Sequence, residues 1–253
     1  MNNFESYLFG LILTDGSIYL TTRNRGKITI ELQKSDIQLL YDIQKQIPES
    51  KVNTRKRDTN FKKDYESGIW SNYQSSFRET MFSYGLPKEN KRVIGNTPNV
   101  PYSEKDFWRG VFDGNGSIGF TKQNEPFISF VITSENLKNS LCKLLSEKFN
   151  IYKNVHPNKR DKIYNIVLKN EDAISFANFM YDNNNIHLKR KYDKYKQFSQ
   201  WKRTKKRIRQ KSWTIDDINF IKTHDIKESM IVLNRTEKSI KMKLWKLRQS
   251  NNF

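Results

Sequence analysis

The sequence predicts an α+β protein, with two similar α-β-β-α-β-β-α halves followed by a small all-α module. Three observations predict this. One stretch recurs about a hundred positions later in the chain, strict two-residue alternation follows each copy, and the last forty or so residues change to a helical period.

The first copy is ESYLFGLILTDG at residues 5–16, continued by Ser17-Ile18-Tyr19. The second is KDFWRGVFDGNG at residues 105–116, continued by Ser117-Ile118-Gly119. Each reads as a mostly apolar helix of about three turns. Strands should follow. Ile18, Leu20 and Thr22 alternate with Tyr19, Thr21 and Arg23; then Ile28, Ile30 and Leu32 alternate with Lys27, Thr29, Glu31 and Gln33. The second copy offers Ile118 and Phe120, a turn at residues 123–126, then Ile128, Phe130 and Ile132. This pattern suits half-buried antiparallel hairpins. Helices are expected near residues 36–46 and 135–149, and further strands near 51–57, 65–70, 154–160 and 163–168. The halves would then span residues 1–98 and 99–200.

Gly10 and Gly110 fall in the middle of the repeated helices, where glycine costs about 1 kcal/mol relative to alanine. An apolar helix with a central glycine fits backbone packed closely on backbone. If these two helices pack together, their C-terminal ends lie side by side, bringing Asp15 opposite Asn115. A carboxylate there, beside a basic strand surface, suits a divalent metal held against a phosphodiester.

Charge sets the class of partner. The 253 residues carry 46 Lys and Arg against 27 Asp and Glu, a net charge of +19. Such a chain is attracted to polyanions, of which nucleic acid is the commonest in a cell. A solubilising surface, or the Lys, Asn and Ile usage of an AT-rich genome, would also raise the charge. Aromatic residues at 13% are too abundant for a disordered tail. No apolar run approaches the roughly 18 residues of a membrane span, and no signal-peptide pattern opens the chain. A lone cysteine, Cys142, excludes an internal disulfide and a cysteine-based zinc site. The expected location is inside a cell: a bacterial or phage cytoplasm, or an organelle with an AT-rich genome.

The nonapeptides LFGLILTDG (residues 8–16) and WRGVFDGNG (residues 108–116) resemble the two signatures of single-chain LAGLIDADG homing endonucleases. The resemblance covers roughly residues 4–200. It implies that the motif helices form the interface between two halves, whose sheets make a saddle over duplex DNA. It also implies that the penultimate motif acids bind Mg²⁺ for double-strand cleavage. Asp15 matches that position. Asn115 departs from it, since an amide offers an oxygen but no charge. Uneven cutting of the two strands, nicking, or loss of cleavage would each follow. Asp113, two residues back on its helix, should face elsewhere.

The basic segments at residues 88–92 and 188–192 look like those carrying the family's active-site lysine, which makes Lys91 and Lys191 candidates. A solvated helix start explains either lysine equally well. Base reading should fall to the outward strand faces, where a two-stranded ribbon fits the major groove. Candidates are Tyr19, Thr21, Arg23, Arg25, Lys27, Thr29, Glu31, Gln33, Asn53 and Arg55, then Thr121, Gln123, Ser129, Thr133, His156, Asn158 and Arg160. The halves differ, so the DNA site should be asymmetric and the protein a monomer.

Residues 189–211 hold twelve basic residues and one acid. Residues 201–211, with Lys202, Arg203, Lys205 and Lys206, read as a basic linker along phosphates or a solubilising tether. Residues 212–253 suggest three short helices. Trp213-Thr214 and Arg235-Thr236 resemble Myb/SANT-type helix-turn-helix domains, which implies DNA contacts by Lys238, Lys241 and Lys243. A three-helix protein-interaction module would share that pattern. Two other functions use the same saddle: a DNA-binding regulator with a weakened nuclease centre, and a maturase acting on intron RNA.

Overall fold

The computed structural model describes residues 1–22, 25–58, 63–183, 186–203 and 213–249. The chain divides into two compact units, Met1–Arg203 and Thr204–Phe253.

The first unit opens with α1 (Asn3–Asp15), started by a capping box between Asn2 and Glu5. Then come β1 (Gly16–Leu20), β2 (Gly26–Gln33), α2 (Ile37–Gln46), β3 (Lys51–Arg57), β4 (Tyr65–Asn72), α3 (Ser75–Ser83) and the one-turn α4 (Lys91–Ile94). The second sequence copy forms α5 (Glu104–Asn115), followed by β5 (Gly116–Phe120), β6 (Pro126–Ile132), α6 (Glu135–Phe149), β7 (Tyr164–Lys169), α7 (Glu171–Tyr181) and α8 (Lys189–Phe198). Two antiparallel sheets result, ordered β1-β2-β4-β3 and β5-β6-β7.

The alternation seen in the sequence decides which face is buried. Ile28, Ile30, Leu32 and Trp70 face inward from the first sheet, and Ile128, Phe130, Ile132, Ile166 and Leu168 from the second. Both sets join one apolar core with Tyr7, Phe9, Leu11 and Ile12 of α1 and Phe107, Trp108, Val111 and Phe112 of α5. At about 25 cal/mol per Å² of apolar surface removed from water, this shared core is the main force holding the unit together. Leu20 is the exception to the alternation, 39% exposed at the end of its strand.

The expected strand at residues 154–160 does not form, so the second sheet has three strands among the described residues. Pro157 lacks the N–H a ladder needs. The segment closes on itself instead: Asn158 N donates to Ile163 O, Lys162 N donates to Asn158 O, and Asp161 N donates to Asn158 Oδ1. The order of the second copy is therefore α-β-β-α-β-α-α.

The second unit contains α9 (Ile215–Thr223), α10 (Ile226–Leu233) and α11 (Glu237–Gln249). Thr214 and Asp217 form a capping box at its start. Ile221, Leu233 and Ile240 are its small core. Arg235 pairs with Asp217 at 2.9 Å and lies 3.9 Å from the ring centre of Trp213, closing one end. Among the described residues, no helix is long and apolar enough to cross a membrane.

Candidate reaction centre and nucleic-acid interface

α1 and α5 cross at their glycines. A Cβ on Gly10 would overlap the Phe107 carbonyl and lie 2.9 Å from Val111 N; one on Gly110 would overlap the Tyr7 carbonyl and lie 2.9 Å from Leu11 N. Only glycine permits this approach. Next to the C-termini, a Cβ on Gly114 would lie 3.3 Å from the Asp15 Cβ, so Asp15 sits against the last turn of α5, which ends in Asn115. Both residues are half-buried. Among the described residues, neither side chain makes a hydrogen bond or ion pair, leaving their oxygens available.

Cations converge on this point. Burial pushes the Asp15 carboxyl above the usual range, and Lys91, Arg92, Lys191 and Arg190 oppose that shift. Lys91 Nζ donates to Leu13 O at 2.8 Å, and Lys191 Nζ donates to Phe112 O and Asp113 O. Each lysine thus caps the free carbonyls that end one motif helix. Burial, reinforced by Arg92, lowers Lys91 to about 8. Burial also lowers Lys191 to about 8, against Asp113.

Neighbouring polar groups hold this geometry. Asp113 is 2% exposed and accepts from Tyr7 Oη (2.8 Å), Tyr181 Oη (2.9 Å) and Leu188 N (2.8 Å), so it anchors α1, α7 and the start of α8. Buried Arg109 donates to Ile186 O, Met180 O and Asp106. Asp36 accepts from Gln33 Nε2 and Arg190 Nε, each at 2.9 Å. Thr133 donates to Arg92 O and Ser134 to Gly95 O, tying the segment around α4 to the end of β6.

The outward face of the first sheet is polar and basic. Strand register aligns Tyr19 with Lys27, Thr29 with Ser17 and Ser71, Glu31 with Ile69 and Asn53, and Gln33 with Ser67 and Arg55. Thr21 and Arg25 close the β1–β2 turn, where Thr21 N donates to Arg25 O. Glu31 is taken by Ser67 and by Arg57 at 3.1 Å. Lys51, which the sequence reading overlooked, continues the row on the edge strand and, with Arg55, has no ion pair among the described residues. The outward face of the second sheet holds Ser117, Gly119, Phe127, Ser129, Val131, Asn165, Val167 and Lys169.

Residues 103–180 match the LAGLIDADG-like domain model, and residues 4–65 match the WhiA LAGLIDADG-like domain model. Two segments of the first unit are thus similar to LAGLIDADG-like domains. A solved structure of the homing endonuclease I-WcaI bound to its DNA recognition sequence is similar in fold, at 16% identity and TM-score 0.54, over 76% of this chain and 85% of that one. Also similar are I-GzeII in complex with its DNA target (14% identity, TM-score 0.48, 79% and 89% covered) and the N-terminal LAGLIDADG domain of DUF199/WhiA (17%, 0.47, 72% and 84%). No curated protein matches significantly.

In the first unit, the donor set at the motif ends fits an oxygen-seeking divalent cation. Asp15 supplies a carboxylate and Asn115 an amide oxygen, both at the negative ends of helix dipoles. No group of three or more His, Cys, Asp or Glu that could hold a metal occurs among the described residues.

The remaining sequence candidates divide. Gln123 and Thr121 lie in the β5–β6 turn, with Gln123 N donating to Thr121 Oγ1. Asn158 and Arg160 lie in the loop that replaces the expected strand; Arg160 is held by Asp161, and His156 is exposed there. Gln33 and Thr133 are occupied by the bonds given above. Arg203 is held by Glu171 rather than extended, whereas Lys202 is exposed. On α11, Lys238 and Lys241 are exposed beside Met242 and Trp245, while Lys243 turns over the Trp213 ring at 5.9 Å. Arg23, Lys205 and Lys206 lie outside the described residues. Arg92 and Arg190 were missed in the sequence; only their position beside Lys91 and Lys191, one before and one after, could have found them.

Proposed function

We propose that the protein is a site-specific DNA endonuclease of the homing type, a monomer that hydrolyses phosphodiesters in a long asymmetric duplex using Mg²⁺. The observation that carries this reading is Asp15, free to accept at the joined ends of α1 and α5, between Lys91 and Lys191. Asp15 and Asn115 would hold the cation, which would supply Lewis-acid stabilisation of charge on the phosphate. Lys91, Lys191 and Arg92 offset the anionic charge that builds at the cleaved phosphate. With one carboxylate in place of two, the two strands are cut at unequal rates. The saddle arrangement and the two-half division are part of this proposal. So is a helix-turn-helix role for the second unit, whose tethered grip on a second stretch of DNA would raise overall affinity.

The test is to incubate the chain with duplex DNA and Mg²⁺ and map new ends strand by strand. Unequal cuts that Asp15→Asn abolishes are expected. Equal rates on both strands would contradict the asymmetric mechanism. Binding without any break would favour a DNA-binding regulator, a reading supported by the uncharged Asn115 and the WhiA-type match at residues 4–65.

A further inference from the structure

The outward face of the second sheet is unlike a phosphate-gripping surface. Val131 and Val167 are each 37% exposed. Val131 pairs with Asn165, Val167 with Ser129, and Phe127 with Lys169, so Val167 lies diagonally between Val131 and Phe127 on neighbouring strands. Ser117, Gly119, Ser129 and Asn165 fill the rest, and among the described residues no acid stands on the face. Cations rim it. Lys169 ends β7, Lys122 is exposed in the β5–β6 turn, and Lys153 Nζ donates to Val167 O at 3.0 Å.

An apolar floor with a cationic rim complements a surface whose edges are anionic and whose floor is apolar. The major groove of an A·T-rich duplex has that character, because each thymine presents a 5-methyl group between two phosphate rails. A second copy of this chain fits worse, since it would bring like charge to the rim on a molecule of net charge +19. We infer that Val131, Val167 and Phe127 are specificity-determining residues that read thymine methyl groups in the half-site under the second sheet. This rests on the DNA-binding part of the proposed function and adds the base class that the second half-site contains.

The experiment uses full-length chain carrying Asp15→Asn, to prevent cutting, and a duplex selected by that chain from a randomised library. Deoxyuridine then replaces thymidine separately in each half of the selected duplex, which removes only the methyl. Each methyl lost under the second sheet should weaken binding about fourfold, the equivalent of one buried CH₂. Val131→Ala and Val167→Ala should bind the thymine and uracil duplexes more nearly alike, and Val131→Ile should keep the discrimination. The same replacement in the other half should be indifferent to these variants. Equal binding of thymine and uracil duplexes by the Asp15→Asn chain, or an unchanged ratio in Val131→Ala, overturns the inference while leaving DNA binding intact. Selection of no duplex at all overturns both the inference and the DNA-binding reading. A dimer dissolved by Val131→Arg would place a second copy on this face and likewise overturn it.

Discussion

The two sheets share a scaffold and differ in what they present. The first aligns Lys27, Thr29, Gln33, Lys51, Asn53 and Arg55 on its outward face, whereas the second aligns Ser117, Phe127, Ser129, Val131 and Val167. The same contrast runs through the motif helices, where Asp15 in α1 stands against Asn115 in α5, and apolar Leu13 against buried Asp113. The inward residues are apolar in both sheets because the common core demands it. Outward positions carry no such demand, so charge and chemistry diverge there. On the proposed reading, one half contributes attraction that salt screens and the other contributes burial that salt leaves alone.

The largest effect should separate Asp15 from Asn115. Asp15→Asn is expected to slow cleavage of both strands about a hundredfold or more, since it removes the centre's one carboxylate. Asn115→Asp should speed the slower strand and bring the two rates together. Strand-resolved kinetics in Mg²⁺ check both; equal losses from Asp15→Asn and Asn115→Asp would erase the contrast.

Next in size is Asp113→Ala, which takes the acceptor from Tyr7 Oη and Leu188 N. Unpaired buried donors cost about 1–3 kcal/mol each, so urea unfolding should show a loss of about 3 kcal/mol. Asp113→Asn, which keeps an accepting oxygen, should lose less.

The faces themselves should differ by salt. Arg55→Ala is expected to lower the slope of log affinity against log salt by about one, the share of one phosphate contact. Val131→Ala should leave that slope unchanged. A slope altered equally by both variants would mean that the two sheets grip DNA alike.

The two lysines also tie the centre to pH. Burial holds Lys91 and Lys191 at about 8, below the ordinary lysine value, so the folded chain sheds protons that the unfolded chain still holds. Above pH about 8 the unfolded state binds more protons, and stability therefore rises with pH up to the ordinary lysine range. Cleavage should fall across the same window as these lysines lose the charge that meets the phosphate. Thermal unfolding and initial rates measured from pH 7 to about 10 would show the two trends diverging; a parallel rise would remove the lysines from the reaction.

Much of the architecture was legible because periodicity reports burial. The alternation over β2 buries Ile28, Ile30 and Leu32, and the helix over Glu135–Phe149 has the boundaries its pattern suggested. Residues 154–160 misled because alternation alone does not register that Pro157 lacks a donor and that Asn158 draws the chain into a turn. At the site, the repeat pointed to Asp15 and Asn115 and to the two lysines. It could not show that Thr133 is spent on the Arg92 carbonyl, or that Asp36, which holds Gln33, also takes Arg190, because Arg92 and Arg190 are distant in sequence from those partners.

The sequence by itself determined the two glycine-centred helices, the hairpins that follow them and the excess of positive charge, since each depends on local spacing or on composition. Tertiary structure alone decided which cations surround Asp15, which polar side chains are already bonded and which sheet faces outward with valines. Those properties depend on distances between residues up to about 175 positions apart, as Lys191 is from Asp15, and only packing such as that of α1 on α5 sets them.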